Sequence, residues 1–531
     1  MKSLTALIIL TAIILPLLIG CGGTERTDLT TTTETAAEDV TKVDAWITES
    51  YKKTFTRTEM PKRHETSASL IAAKNETEGF HISFRSDTDL SGLSLEISEN
   101  YNGITTEILQ EYYITVNGVG IPDPLVPLED NFTLTKDVTQ GFLVRFDVSE
   151  DAPSGNHTYT LTLKGDDGSV YGEFDVSLEV MGFSLPVEYF GSVASAVKED
   201  QIYAKEDITS DEVGEYYKKY YDLLLEYGVN ADYLPYDVLD SRADAYMSDP
   251  RVKSFQVDHN LDDDTLRQIN EKLSSNPEWL KKAYFDVYSE PSTVDELNEF
   301  IDRTLRVKEL CPDISVMAHY FRNIKYDETR DTVALCGEYT DTFLVKSCAW
   351  SKGWLADPLS KGYFGNRIEE LAGDSGLIWW YVCWEPRDPF CNLQIDESGL
   401  NHRKLFIQQY LYGVDGLSYW AANYWRYVSD PWTDMATVKN LSESCYGDGS
   451  LLYPGVKVGI EGAVASLRLD CIRDGVEDIA LLKLAEREFG REWVEDKIST
   501  VVESMTVHTV SLTDFAAFRS EILNALNEKL S

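Results

Sequence analysis

Residues Ala283 to Pro291 read Ala-Tyr-Phe-Asp-Val-Tyr-Ser-Glu-Pro, and this stretch decides the predicted fold. Aromatic, β-branched and small residues recur there with period two, which is typical of a β-strand. Pro291 lacks a backbone N–H and ends the strand. Alternation places four side chains on one face of the strand: Tyr284, Asp286, Tyr288 and Glu290. Glu290 is thus predicted at the carboxyl end of a strand, where (β/α)8 barrels carry catalytic groups. A turn or N-cap acid fits the position equally well.

From Phe190 onward, apolar strands alternate with helix-period segments, which predicts parallel βα units. The helical segments include Asp211–Tyr227, Leu261–Leu273, Val294–Leu310 and His402–Tyr412. Eight candidate strands over this region predict a (β/α)8 barrel spanning residues 187–462. The candidate strands are Ser192–Val197, Ala231–Leu234, Val252–Val257, Ala283–Tyr288, Ile314–Tyr320, Thr342–Ala349, Leu377–Trp384 and Gly416–Trp420.

Other parts of the chain carry different patterns. Residues 43–186 show short alternating strands separated by Asp-Gly and Ser-Gly turns, which predicts an antiparallel β-sandwich. Residues 463–531 are helical in pattern and are expected to pack on the barrel. Within them, four charged residues face one another at helical spacing and predict a structural ion-pair lattice: Arg468, Arg473, Glu477 and Asp478.

The composition limits the class of partner. With 48 Lys and Arg against 90 Asp and Glu among 531 residues, the net charge is −42, which argues against binding to nucleic acid or anionic lipid. The same charge also serves solubility. The 11 Trp and 30 Tyr favour a carbohydrate ligand, because aromatic faces stack on the apolar faces of sugars.

The N-terminus has the pattern of a bacterial lipoprotein. A positive start, the apolar run Leu4–Ile19 and the sequence Leu18-Ile-Gly-Cys21 predict a signal peptide over 1–20, with lipid attached to Cys21. An ordinary signal peptide or a membrane anchor is the alternative. Residues 21–42 are rich in Thr and acidic residues and predict a disordered tether. The protein is therefore expected to be anchored in the cell envelope, facing outside the cytoplasm.

The remaining seven cysteines show neither a CxxC pair nor zinc-finger spacing. We therefore expect buried thiols, no metal and no cofactor. A disulfide between Cys383 and Cys391 stays open at this point.

A second carboxylate is predicted at the same end of the barrel as Glu290. The strand Leu377–Trp384 runs directly into Glu385. Carboxylates at the ends of barrel strands four and seven are typical of retaining glycosidases, whose acid/base and nucleophile lie about 5–5.5 Å apart. Asp286 is a poorer partner for Glu290, because four residues along one strand span roughly 13 Å.

Aromatic and polar residues cluster near the predicted strand ends and could form a sugar subsite. They are Tyr288, Asp286, His319, Tyr381, Trp384, Trp420, Asn423 and Trp425. Core packing is the alternative for any one of these aromatics, and a lone histidine such as His319 is more often structural.

Several motifs resemble glycoside hydrolase family 123 and the related group catalogued as domain of unknown function 4091. They are Trp379–Cys383, Ile395-Asp396, His402-Arg403, Tyr412–Gly416, Tyr419–Trp425, Gly447–Pro454, Ser466–Arg468 and Ile472–Asp478, with Ala72–Glu76 and Phe80 upstream. The resemblance implies a β-sandwich followed by a (β/α)8 barrel. It also implies a retaining β-N-acetylgalactosaminidase with a glycan substrate, in which the substrate's 2-acetamido oxygen attacks the anomeric carbon.

In that family an Asp-Glu pair ends strand four. The Asp orients the acetamido group and the Glu is the general acid/base; Glu290 matches the Glu, but Ser289 stands at the Asp position. A serine can hydrogen-bond an amide but carries no charge, and such a loss costs about 3 kcal/mol or more where charge develops.

This departure leaves three hypotheses. In the first, Ser289 only positions the substrate of a weakened or altered hexosaminidase. In the second, Glu385 is the nucleophile of a double displacement with Glu290 as acid/base. In the third, the protein is a non-catalytic, surface glycan-binding lipoprotein.

Overall fold

The amino-terminal part consists of two five-stranded sheets with a shared core. In a computed structural model, which describes residues 41–129, 131–320, 324–351, 364–438 and 445–531, the first sheet has the order β1-β3-β8-β5-β6 and the second β2-β10-β9-β4-β7. These strands are β1 Val43–Glu49, β2 Ala68–Lys74, β3 Glu76–Ser86, β4 Leu90–Ile97, β5 Ile104–Val116, β6 Val119–Pro127, β7 Phe132–Leu134, β8 Thr139–Val148, β9 Gly155–Gly165 and β10 Val170–Ser184.

Alternating residues of both sheets fill this core. Phe80, Ile82 and Phe84 of β3 meet Leu161 of β9 and Leu178 of β10 in one buried cluster. The prediction of wholly antiparallel pairing was wrong at one place, since β2 and β10 run parallel. The two strands lie far apart in sequence, so no hairpin forces them to be antiparallel. The predicted domain limits stay a prediction.

Eight parallel strands form a nearly closed barrel, which confirms the eight predicted strands. Their order is β12-β11-β18-β17-β16-β15-β14-β13. They are β11 Ser192–Ser195, β12 Asn230–Ala231, β13 Phe255–Gln256, β14 Ala283–Asp286, β15 Ser315–Tyr320, β16 Thr342–Lys346, β17 Leu377–Val382 and β18 Gly416–Tyr419. Between β12 and β13 no strand ladder forms within these described residues, and a single backbone hydrogen bond, from Gln256 N to Asp232 O, crosses the seam at 2.6 Å.

Helices surround the barrel and complete the carboxyl-terminal part. They are α1 Glu199–Lys205, α2 Val213–Glu226, α3 Ala243–Ser248, α4 Asp263–Ser274, α5 Pro277–Leu280, α6 Val294–Leu310, α7 Thr332–Gly337, α8 Phe364–Ala372, α9 Gly399–Leu411, α10 Leu467–Phe489, α11 Arg491–Ile498 and α12 Leu512–Leu530. Short strands also occur after β18: β19 Ala436–Val438, β20 Cys445–Tyr446, β21 Leu452–Pro454 and β22 Ala463–Ala465. The four predicted helices correspond to α2, α4, α6 and α9.

The helix after the key strand begins where the sequence dictates. Thr293 caps α6, because its hydroxyl accepts the Glu296 N–H while the Glu296 carboxylate accepts the Thr293 N–H. This capping box places the N-cap of α6 two residues after Pro291, so the segment carrying Ser289 and Glu290 is short and anchored at both ends.

Buried ion pairs join α10 to β6 of the first sheet and to α9. The residues of the predicted lattice are buried, but Arg468, Arg473 and Asp478 pair with residues outside the predicted set. Arg468 and Asp123 are both fully buried and pair at 2.8 Å. Arg403 of α9 pairs with Asp478 at 2.6 Å, and Arg473 pairs with Asp470 at 2.9 Å. Charges buried without water must be paired, so this network fixes how α10 sits between the barrel and the sheets.

Some predictions are answered only in part. Among the residues that the structure describes, Cys383 and Cys391 are free thiols, as are the other five cysteines. The predicted signal peptide, Cys21 and the tether up to residue 40 lie outside the described residues. In the described ranges, no helix has the length and apolar character needed to cross a membrane.

Candidate active site

A cavity of about 990 Å³ opens at the carboxyl ends of the barrel strands. Every one of the eight strands contributes a residue at or just beyond its end. The volume suits a sugar-sized ligand, since ligand sites commonly enclose about 300–1,000 Å³. Lining residues include Lys198, Asp232, Tyr233, Asp286, Ser289, Glu290, His319, Lys346, Tyr381, Trp384, Trp420, Tyr424, Tyr427 and Asp448.

Glu290 reaches the cavity through an unusual backbone. The strand β14 ends at Asp286, and Glu290 has φ +52°, a left-handed conformation that costs a non-glycine residue about 1–2 kcal/mol. Its carboxylate accepts a 2.6 Å hydrogen bond from the Tyr381 hydroxyl. Burial, together with the charge of Glu290, raises the pKa of Tyr381 well above its ordinary value, so Tyr381 remains a donor to that carboxylate.

Ser289, His319 and Asp286 form a chain of polar contacts beside Glu290. His319 Nδ1 lies 3.4 Å from Ser289 Oγ, and His319 Nε2 lies 3.0 Å from Asp286 Oδ2. Burial opposes ionisation of both partners, yet the charge of Asp286 raises the pKa of His319 and the charge of His319 lowers the pKa of Asp286. Asp286 Oδ1 and His319 Nε2 are both buried without a hydrogen-bond partner in the described structure, so the 3.0 Å contact between the two side chains is electrostatic.

Two further acids in the cavity escaped sequence reasoning. Burial raises the pKa of Asp232 to about 6, with a further rise from the charge of Asp286 and an opposing effect of Lys198. Burial likewise raises the pKa of Asp448 to about 6, although Trp420 Nε1 donates to its Oδ1 at 3.1 Å. Asp232 falls inside the predicted second strand, which in fact ends at Ala231. Its position after an apolar strand end was the available signal, whereas Asp448 lies in a loop without periodicity.

Aromatic rings form one side of the cavity. Trp420 contacts Tyr424 with ring centroids 4.7 Å apart, and Tyr424 contacts Tyr427 at 6.1 Å. Trp384 lines the cavity as predicted, and Lys346 Nζ lies 5.5 Å from its ring centre. Gly449 is required here, because a Cβ at that position would lie 2.1 Å from the Trp420 ring. The loop after β20 thus presses directly against the aromatic wall.

Three predicted site residues lie elsewhere. Tyr288 packs beside Arg303 of α6, with the guanidinium carbon 5.3 Å from its ring centre; the strand has already ended, so alternation no longer applies. Asn423 is buried and bridges the backbone N–H and C=O of Lys198. Trp425 is fully buried and donates to Ser450 Oγ at 2.8 Å. The side chains of Asn423 and Trp425 therefore point into the core, while their neighbours Tyr424 and Tyr427 line the cavity.

Glu385 is not among the residues that line the cavity in the described structure. Its carboxylate lies 3.6 Å from Lys346 Nζ, a side chain only 2% exposed. The carboxylates that the barrel brings to the cavity around Glu290 are instead Asp232, Asp286 and Asp448. The placement of Glu385 does not support a role as nucleophile.

The arrangement suits proton transfer inside an aromatic cleft. One carboxyl group, on Glu290, faces the cavity with a tyrosine donor, while Ser289 offers a hydroxyl beside it. Acid/base groups positioned in this way catalyse cleavage of bonds to oxygen. No cluster of His, Cys, Asp and Glu suited to a metal occurs in the described ranges.

Comparison with known proteins gives two relevant similarities. Residues 249–485 match the family model described as "Glycoside hydrolase 123, catalytic domain". The structure is similar to that of a family 123 glycoside hydrolase from Clostridium perfringens, solved in a study of glycolipid glycan hydrolysis. The two share 13% sequence identity and a TM-score of 0.66, and the match covers 92% of this chain and 98% of that one. At this identity the likeness shows the fold alone.

A GH5 xyloglucanase from Bacteroides ovatus also matches. Its identity is 9% and its TM-score 0.23, over 82% of this chain and 100% of that one, and we draw no argument from it. No curated protein matches the chain. The segment 249–485, which holds β13 to β18 and α10 up to Ala485, is therefore similar to a glycoside hydrolase catalytic domain.

Proposed function

We propose that the protein is a glycoside hydrolase that releases a terminal 2-acetamido sugar from a glycan, with Glu290 as general acid/base. The observation that supports the proposal is that Ser289 and Glu290, three and four residues beyond the end of β14, line a cavity with an aromatic wall. The family match over 249–485 supports the same class of enzyme.

The proposed reaction is substrate-assisted and retains the anomeric configuration. The acetamido oxygen attacks the anomeric carbon while Glu290 gives its proton to the leaving oxygen, so the glycosidic bond breaks and an oxazolinium forms. Glu290 then takes a proton from water as the water attacks the anomeric carbon, which opens the oxazolinium ring and restores the acetamido group. Tyr381 holds the Glu290 carboxylate in place through its 2.6 Å hydrogen bond. No cofactor takes part.

Hydrolysis of four aryl β-glycosides tests the proposal: those of GalNAc, GlcNAc, galactose and glucose. We expect turnover of the N-acetyl sugars only, with loss of about 1,000-fold or more in Glu290→Gln. Glu385→Gln is the matched control, because Glu385 pairs with Lys346 outside the cavity lining. Turnover of plain hexosides that disappears in Glu385→Gln would instead establish a double displacement. Glycan binding without any turnover would establish a binding protein.

We also propose that the chain is lipidated at Cys21 and faces outside the cytoplasm. The apolar run Leu4–Ile19 and the sequence Leu18-Ile-Gly-Cys21 support this location. Incorporation of radiolabelled palmitate into the full chain, absent in Cys21→Ala, tests it. An unlabelled wild-type chain would contradict it.

A further inference from the structure

Ser289 is connected to a carboxylate through an imidazole ring. Ser289 Oγ contacts His319 Nδ1 at 3.4 Å, and the opposite ring nitrogen contacts Asp286 Oδ2 at 3.0 Å. All three side chains line the cavity, next to Glu290. The carboxylate of Asp286 is therefore separated from Ser289 by a single imidazole ring.

The order of these contacts determines the tautomer of the neutral His319 ring. A carboxylate facing Nε2 favours the proton on that nitrogen, and when the imidazole is neutral this leaves Nδ1 as an acceptor. Although burial opposes it, the charge of Asp286 raises the pKa of His319, so the neutral state is the one that is populated at pH values above that pKa. The Ser289 hydroxyl then donates to Nδ1, and the lone pairs of Oγ are free to accept from a ligand. The Asp286 carboxylate lies 3.0 Å from His319 Nε2, which makes no hydrogen bond in the described structure, so its charge acts on the ring electrostatically. Through the contact between Nδ1 and Ser289, that charge makes Ser289 Oγ a better acceptor than an isolated hydroxyl.

Substrate assistance needs an acceptor at this place. As the acetamido oxygen attacks, positive charge develops on the acetamido group, and its N–H becomes a stronger donor. An acceptor that strengthens with the developing charge lowers the barrier, whereas one that binds both states equally does not. Ser289 itself carries no charge, but it contacts His319, which in turn contacts the Asp286 carboxylate.

We propose that Asp286 and His319 are positioning residues that act through Ser289, so that Ser289 Oγ accepts the acetamido N–H of the substrate with negative charge supplied from Asp286. The inference rests on the proposed function, which it deepens. It accounts for a serine beside the general acid without requiring a carboxylate in direct contact with the sugar.

A double-mutant cycle tests this arrangement. Ser289→Asp places a charge directly at the acetamido group, so the contacts from Asp286 through His319 to residue 289 are no longer needed. In the wild-type background, Asp286→Asn is expected to lower kcat on an aryl N-acetyl-β-glycoside about 10- to 100-fold with little change in KM. In the Ser289→Asp background the same substitution is expected to change kcat less than about 3-fold. His319→Gln serves as a second variant, with the same expected coupling.

Asp448→Asn is the matched control. Asp448 is another cavity carboxylate, and it contacts Trp420 rather than Ser289. Its substitution is expected to change kcat by the same factor in both backgrounds. Equal losses for Asp286→Asn in both backgrounds would overturn the proposal, as would an unchanged kcat in the wild-type background, because either result gives Asp286 no action through Ser289.

Binding of a bicyclic thiazoline, a stable analogue of the oxazoline, separates this inference from the proposed activity. Calorimetry is expected to give a Kd for the thiazoline that is about 10- to 100-fold weaker for Asp286→Asn than for the wild type. In the Ser289→Asp background, the same substitution is expected to leave the Kd nearly unchanged. If the thiazoline affinities change in this way but the protein turns over no substrate, the role of Asp286 and His319 is upheld and the proposed hydrolase activity is overturned. Failure of the wild type to bind the thiazoline would overturn the inference itself.

Discussion

Replacing Arg468 by methionine is expected to destabilise the protein strongly. The guanidinium makes two hydrogen bonds to Asp123, at 2.9 and 2.8 Å, and Nη1 donates to the carbonyls of Leu393 and Gly447 at 3.0 and 2.9 Å. Arg468 and Asp123 are both 0% exposed. Arg468→Met leaves a buried carboxylate for which the Tyr453 hydroxyl is the one remaining donor among the described residues, and breaking such a pair costs about 3–5 kcal/mol.

The double variant Arg468→Met/Asp123→Leu should be less destabilised than Arg468→Met alone. It removes the unpaired charge and leaves only neutral groups without partners, each costing about 1–2 kcal/mol. Urea unfolding followed by tryptophan fluorescence and circular dichroism measures both variants. Arg242→Met is the control, since its pair with Asp240 lies at the surface and should cost less than about 1 kcal/mol. A cost below about 1 kcal/mol for Arg468→Met, or a double variant less stable than the single one, would refute the reasoning.

Three further predictions concern the cavity. Tyr381→Phe removes the donor to Glu290 and should lower kcat/KM about 10- to 100-fold on an aryl N-acetyl-β-glycoside; an unchanged value would mean that the contact does not act in catalysis. Burial holds the pKa of Asp232 at about 6 against an ordinary 3.8, so the folded state keeps a proton that the unfolded state releases, and stability falls as the pH rises between these values. Asp232→Asn should therefore match the wild type near pH 4 and exceed it near pH 7 by up to about 3 kcal/mol in urea unfolding, whereas a constant difference would contradict the shift. Tyr427 is 57% exposed and ends the aromatic series that starts at Trp420, so we expect it to stack on a second sugar. Tyr427→Ala should therefore raise KM about 5-fold or more for a disaccharide but not for the aryl glycoside. Tyr203→Ala is the control, because Tyr203 is similarly exposed but lies outside the cavity lining.

The sequence predicts the barrel well because its signal is local. Each apolar strand and each amphipathic helix is visible in its own window, and the capped start of α6 follows from Thr293 and Glu296. The position of Glu290 follows from the same window, since a strand end in a parallel barrel faces the common mouth.

The rest of the site depends on where the chain turns after each strand. Periodicity extended β14 to Tyr288, but the strand ends at Asp286, and Tyr288 turns out toward α6. Asn423 and Trp425 follow β18 in the same segment as Trp420, yet of these three residues only Trp420 lines the cavity. Asp448 reaches the site through a loop held by Arg468 and Gly447, a long-range contact that no local window contains.

Under the proposed function, the left-handed backbone of Glu290 sets catalysis against stability at a single residue. A glycine there would relieve the steric cost of φ +52°, and after its own entropy cost it would stabilise the fold by up to about 1 kcal/mol. It would also delete the acid. A library selected for thermostability alone is therefore expected to enrich glycine at this position, and to yield more stable proteins that lack the proposed general acid/base.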